Sequence, residues 1–74
     1  MHVKVSYHAR RIMSYLEINP HSMDTAEGIM RWWINDSDYD LATVNAALDL
    51  LEREGKVKRD IHNDGEHYFS LIFQ

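Results

Sequence analysis

Apolar residues recur at helical spacing along most of the chain. Ala9, Ile12, Met13 and Leu16 fall at i, i+3, i+4 and i+7, the stripe of an amphipathic helix. The spacing predicts a first helix over about 6–19, with Ser6 as its N-cap. Asn19-Pro20 ends it, because a residue before proline avoids helical dihedrals. Ile18 lies off the stripe and is placed to fill a gap near the turn. A second stripe, Ala26, Ile29, Met30 and Trp33, predicts a helix over about 24–35. Asp24 is its expected cap, and Glu27 three residues on has the spacing of a capping box. Gly28 falls on the outward face, where it permits close approach by a neighbouring element.

The third helix, about 40–54, buries Leu41, Val44, Ala47, Leu48 and Leu51. The run "NDSDYD" before it offers Ser37, Asp38 and Asp40 as caps, and acid there complements the helix dipole. Helix initiation is the first explanation of this acidic run, and an acidic binding patch is the alternative. Gly55 is placed to end the helix in a left-handed conformation. Two strands follow, over about 56–61 and 66–73. In the first, Val57 and Ile61 alternate with Lys56, Lys58 and Asp60. In the second, "EHYFSLIF" is rich in strand formers, and "HNDG" between them carries the Asp-Gly signature of a tight hairpin.

Composition narrows the class. Seventy-four residues with a 45% apolar and 11% aromatic content suit one small folded domain over 1–74. The absence of cysteine excludes a disulfide framework and a thiolate zinc site. No apolar stretch reaches the ~18 residues of a membrane span, and "MHVKVSYHAR" has no apolar centre of a signal peptide, so the expected location is the cytoplasm.

The order helix, helix, helix, hairpin resembles a winged helix-turn-helix domain, from about Tyr7 to Ile72. The resemblance is most specific in "TVNAALDLLEREGKVKRDI", with support from "IMSYLEINP" and "DTAEGI". It implies a mostly α fold, a three-helix bundle with a β-wing. By that analogy the second and third helices form the helix-turn-helix, and the third would enter the DNA major groove.

The charges disagree with the usual role of that architecture. The net charge is −4, and from 32 to 52 there is no Lys or Arg, while Asp36, Asp38, Asp40, Asp49 and Glu52 lie in that stretch. Base reading needs donors on the outward face of the third helix, with cations beside it for phosphate. That face is Ala42, Ala46, Asp49 and Arg53, flanked by Thr43 and Asn45. Thr43 and Asn45 suit base contacts, but the aspartates would meet phosphate with like charge. The base is gathered at Lys4, Arg10 and Arg11 and at Arg53, Lys56, Lys58 and Arg59, with Arg31 between. The second group is either a phosphate clamp or a solvated face neutralised by Glu52, Glu54 and Asp60.

A protein interface is the other expectation. Trp32 sits roughly 110° from its stripe's centre and Leu50 roughly 130° from its own. With Ile34, and with Ala42 and Ala46 keeping the third helix smooth, they form a candidate partner surface. The alternative is that a small domain spreads large side chains over the edges of its core. The strand "HYFSLIF" adds a second route, since a bare edge pairs readily with another chain.

Chemistry is not expected. His2, His8, His21, His62 and His67 match no metal-ligand spacing, although His62 and His67 straddle the hairpin near Asp60 and Asp64. No nucleophile elbow or phosphate loop occurs, and Gly28, Gly55 and Gly65 are too scattered to cradle phosphate. The sequence therefore predicts a non-catalytic binding module without cofactor, metal, membrane or small-molecule substrate. Its partner would be another protein or a second copy, with double-stranded DNA and transcriptional regulation as the alternative.

Overall fold

The computed structural model describes residues 3–34 and 40–73. Helix α1 spans Val3–Ile18. It starts about one turn before the expected Ser6 cap, because the apolar stripe continues backwards through His8 and Val5. Asn19 closes it: its backbone N–H and its side-chain amide both donate to the Tyr15 carbonyl, at 2.8 and 3.1 Å. Ile18 is 81% exposed and fills no gap.

Strand β1, Met23–Asp24, follows the turn. Two residues are too short to show alternation, and the hydrophobic pattern does not reveal them. Helix α2, Ala26–Gly28, continues directly into a π-helical segment, Ile29–Ile34. Its cap is Thr25, whose Oγ1 accepts the Gly28 N–H at 3.2 Å. Asp24 sits one residue earlier and accepts the Thr25 N–H at 2.7 Å, so the expected Asp24–Glu27 capping box does not form. Gly28 does permit a close approach, that of the Asp24 carboxylate, into which a Cβ at this position would run. The expected cap candidates Ser37 and Asp38, the acidic Asp36, the helix end at 35 and His2 lie outside the described residues.

Helix α3, Leu41–Arg53, begins at Asp40, whose Oδ1 accepts the Thr43 N–H at 2.7 Å. It ends as expected at Gly55, with φ +73°. The Gly55 N–H reaches the Glu52 carbonyl at 3.1 Å and the Lys56 N–H the Leu51 carbonyl at 2.9 Å, the paired bonds of a Schellman motif. Strands β2, Val57–Ile61, and β3, His67–Leu71, form the hairpin. Its turn places Gly65 at φ +83°. The three strands make one antiparallel sheet in the order β1-β3-β2, with Asp24 opposite Phe69 and Arg59 also opposite Phe69 on the other side. The molecule is thus mostly helical with a small hairpin, the helix-plus-wing arrangement anticipated above. The edge reading of "HYFSLIF" is corrected: β3 is the central strand, and β1 and β2 are the outer ones.

The core joins Ala9, Ile12 and Leu16 of α1 with Ile29, Trp33 and Ile34, with Val44, Ala47, Leu48 and Leu51 of α3, and with Val57 and Phe69 of the sheet. Trp33 stacks on Tyr15, centroids 4.7 Å apart and planes 10° from parallel. Leu41 and Ile61, expected inside, are exposed: Leu41 stands at the first turn of α3, and Ile61 at the far end of the hairpin beyond the helices. Among the described residues, no helix is long and apolar enough to cross a membrane.

Candidate functional site

The outward side of α3 and the facing strand β2 gather most of the residues singled out from the sequence. β2 alternates, so Val57, Arg59 and Ile61 share one face and Lys58 and Asp60 the other. Val57 enters the core, which turns Arg59 toward α3. There its Nη2 donates to Asp49 Oδ1 at 2.7 Å and to Glu52 Oε1 at 2.9 Å. The two carboxylates are three residues apart on α3 and so lie on one face, bracketing the same guanidinium. The Arg59 Nη1–H donates to His67 Nδ1 at 3.2 Å, and the guanidinium carbon lies 4.9 Å from the Phe69 ring centre. Arg59 is therefore held on four sides, two of them anionic.

The remaining cations divide. Lys56 pairs loosely with Glu54 at 3.5 Å. Arg53 and Lys58 make no ion pair among the described residues. In α1, Arg11 is committed inward: it donates to the Tyr7 hydroxyl and to the Ile34 carbonyl, each at 3.0 Å. That second bond satisfies a carbonyl at the end of the π-helical segment. Thr43 and Asn45 lie near the start of α3, Thr43 half-buried and Asn45 exposed. The nearest charge to Thr43 is the capping Asp40, held below its ordinary 3.8 chiefly by the hydrogen bond from the Thr43 backbone. Thr43 thus stands beside the capping carboxylate, which also feels Lys4, whereas Asn45 shares a cleft with Arg59.

A cleft of about 230 Å³ opens between the start of α2, the start of α3 and the hairpin. Leu41 and Phe69 supply its apolar lining, and Glu27, Asn45, Glu66 and His67 its polar groups, with Arg59 in one wall. The Thr25 hydroxyl that borders it is already the α2 cap. The cleft lies where the third helix and wing converge, and its ionisable groups are two acids, Glu27 and Glu66, with Arg59 and His67.

The expected protein-interface residues separate. Trp32 is 69% exposed, as its off-stripe position implied, and Ala42 is exposed with Ala46 half-buried. Ile34 is 1% exposed and belongs to the core, which corrects its assignment to the surface. The reason is winding: bonds from i to i+5 widen each turn, so Ile34 comes round beneath Ile29 where an α-helix would turn it away. Leu50 is half-buried against the core and is likewise withdrawn from the surface set.

The four described histidines are also accounted for. His62 stacks on Tyr68 with centroids 4.0 Å apart, His67 serves Arg59, and His21 lies against Phe73. His8 is buried, its Nδ1–H donating to the Lys4 carbonyl at 2.7 Å. Among the described residues, no three potential ligands come together to hold a metal. Tyr68 is pushed above its ordinary 10.0, chiefly by the neighbouring Asp64 carboxylate, with Glu66 and Asp24 adding to it, so the hairpin tip is acidic too.

No family model matches the chain, and neither a curated protein nor a solved structure shows significant similarity to it.

Proposed function

We propose that this chain is a non-catalytic, winged-helix-type binding module whose partner is a protein. One observation carries the reading: Arg59, a wing cation turned toward α3, is neutralised by Asp49 and Glu52 of that same helix. A phosphate binder needs that cation unpaired, since affinity for a polyanion comes from the counterions that a free cation releases. The exposed candidates left for recognition are Trp32, an aromatic anchor, and Ala42 on the first turn of α3.

The second reading is a DNA-binding transcriptional regulator. Arg53 and Lys58, which have no ion pair among the described residues, favour it, with Thr43 and Asn45 toward the bases. Fluorescence anisotropy of a labelled genomic duplex at low salt separates the two. Non-specific DNA binders show Kd values of about 10⁻⁴–10⁻⁶ M even at physiological salt, and tighter values at low salt. No change in anisotropy across that range is expected. Micromolar binding that weakens steeply with salt and with Lys58→Glu would overturn the protein-partner reading.

A further inference from the structure

We infer that the cleft between the starts of α2 and α3 and the hairpin receives a lysine or arginine side chain of the partner protein. The inference deepens the binding-module reading and rests on it.

Size narrows the occupant first. Sites for drug-sized ligands and cofactors enclose about 300–1,000 Å³. This cleft holds about 230 Å³, room for one long side chain. Part of its lining is apolar, from Ala26, Leu41 and Phe69. Phe69 belongs to the core, but Leu41 is 37% exposed, a large apolar side chain facing water at the first turn of α3. The stem of a lysine or arginine lies along such a surface and keeps its charged head at the wet end.

Charge then gives the sign. Glu27 comes from α2 and Glu66 from the hairpin, so the two carboxylates reach the cleft from different elements. Neither has an ion pair among the described residues. Arg59 adds no free positive charge, because Asp49 and Glu52, which do not line the cleft, already hold its guanidinium. The helix starts are answered as well. The Thr25 hydroxyl accepts the Gly28 N–H, and Asp40 sets a negative charge against the start of α3. Glu27 and Glu66 are therefore the unmatched charges of the cleft. A cationic head entering it is attracted by both, and an anion would meet both as like charge. Asn45, exposed on α3, offers its side-chain oxygen to a further N–H of the same head. Leu41 precedes Ala42, so a side chain seated here brings its protein onto the exposed first turn of α3.

The test titrates the whole isotope-labelled chain with N-acetylarginine amide, blocked at both ends so that the guanidinium is its only charge. Backbone amide shifts are followed by NMR. A single side chain binds weakly, so saturation is expected with a Kd on the order of 1–10 mM. The largest shifts should fall at Leu41, Asn45, Glu66 and His67. Glu27→Gln and Glu66→Gln should each weaken binding by about threefold, the worth of an exposed ion pair. Asp60→Asn removes the same charge from the opposite face of β2, outside the cleft, and should leave the Kd within about 1.5-fold of wild type. All three substitutions are on exposed side chains, and circular dichroism checks that each variant is folded. Equal weakening by Asp60→Asn overturns the inference, because the attraction then belongs to the net charge of −4 and not to the cleft. Saturable binding of the correspondingly blocked glutamate at the same residues overturns it too, and makes the cleft an anion site on Arg59. Shifts that stay flat with arginine rule out the basic side chain and leave a protein partner of other chemistry standing. Only duplex binding in the anisotropy experiment removes the underlying reading itself.

Discussion

Helix α3 and the π-helical end of α2 deliver the same kind of side chain to the same core by different windings. In α3, Val44, Ala47, Leu48 and Leu51 follow a regular stripe, with Ala42, Asp49 and Arg53 exposed where the wheel puts them. In Ile29–Ile34 the buried set is Ile29, Trp33 and Ile34, spaced by four and then by one. The wider turn brings Ile34 inward and leaves Trp32 as the exposed member of the aromatic pair. Surface chemistry at this end of the molecule is thus a product of backbone winding, whereas on α3 it is a product of sequence period alone.

The comparison breaks most visibly at Ile34. If the segment is π-wound, Ile34→Ala removes a fully enclosed side chain and should cost about 2–5 kcal/mol, as much as Leu48→Ala in α3. Urea denaturation of the two variants beside Trp32→Ala measures this directly, and Trp32→Ala should stay within about 0.5 kcal/mol of wild type. A cost for Ile34→Ala as small as that of Trp32→Ala would mean that the segment is an ordinary α-helix with Ile34 outside.

The starts of the two helices sharpen the contrast at smaller scale. Thr25, not Asp24, accepts the N–H three residues on, so Thr25→Ala should cost about 1 kcal/mol. Glu27→Gln should stay within about 0.5 kcal/mol, because no capping box engages its side chain. A larger loss at Glu27 than at Thr25 in the same denaturation series would return the box to the structure.

How much of this was legible in the residues follows from the same physics. α3 was readable from end to end: the Asp40 cap, the apolar stripe and Gly55 are local signals, and each agrees with the others. Two readings on it failed: Leu41, at the first turn, is exposed, and Leu50, placed outward by the wheel, packs half-buried against the core. Ile34 was not readable, since a wheel drawn at one constant period cannot show a change of winding. β1 was too short to leave a pattern and owes its existence to β3. The Arg59 clamp was half legible. Glu52 was among the acids expected to neutralise the wing's cations, but nothing read from the residues turned Arg59 toward α3. Asp49, ten residues away, becomes a partner only once the turn at Gly55 folds β2 back along the helix.

The smallest effect is also the one that separates the two caps by charge. α2 is capped by a neutral hydroxyl and α3 by a carboxylate, so of the two capping side chains only the second can take up a proton. The Thr43 amide favours the ionised form of Asp40 and lowers its value in the folded chain below the 3.8 of a free aspartate. As pH falls, the unfolded chain therefore takes up the proton first. The cap's charged contribution is complete above 3.8 and is lost as pH drops through the lower, folded value. Asp40→Asn keeps an acceptor oxygen but cannot titrate. The stability gap between wild type and Asp40→Asn, measured by urea denaturation from pH 7 to pH 3, should narrow over the acidic end of that range, while the gap for Thr25→Ala stays constant. A gap for Asp40→Asn that does not move with pH would mean that α3 is held at its start by hydrogen bonding alone, and that its acid is as passive there as the hydroxyl of α2.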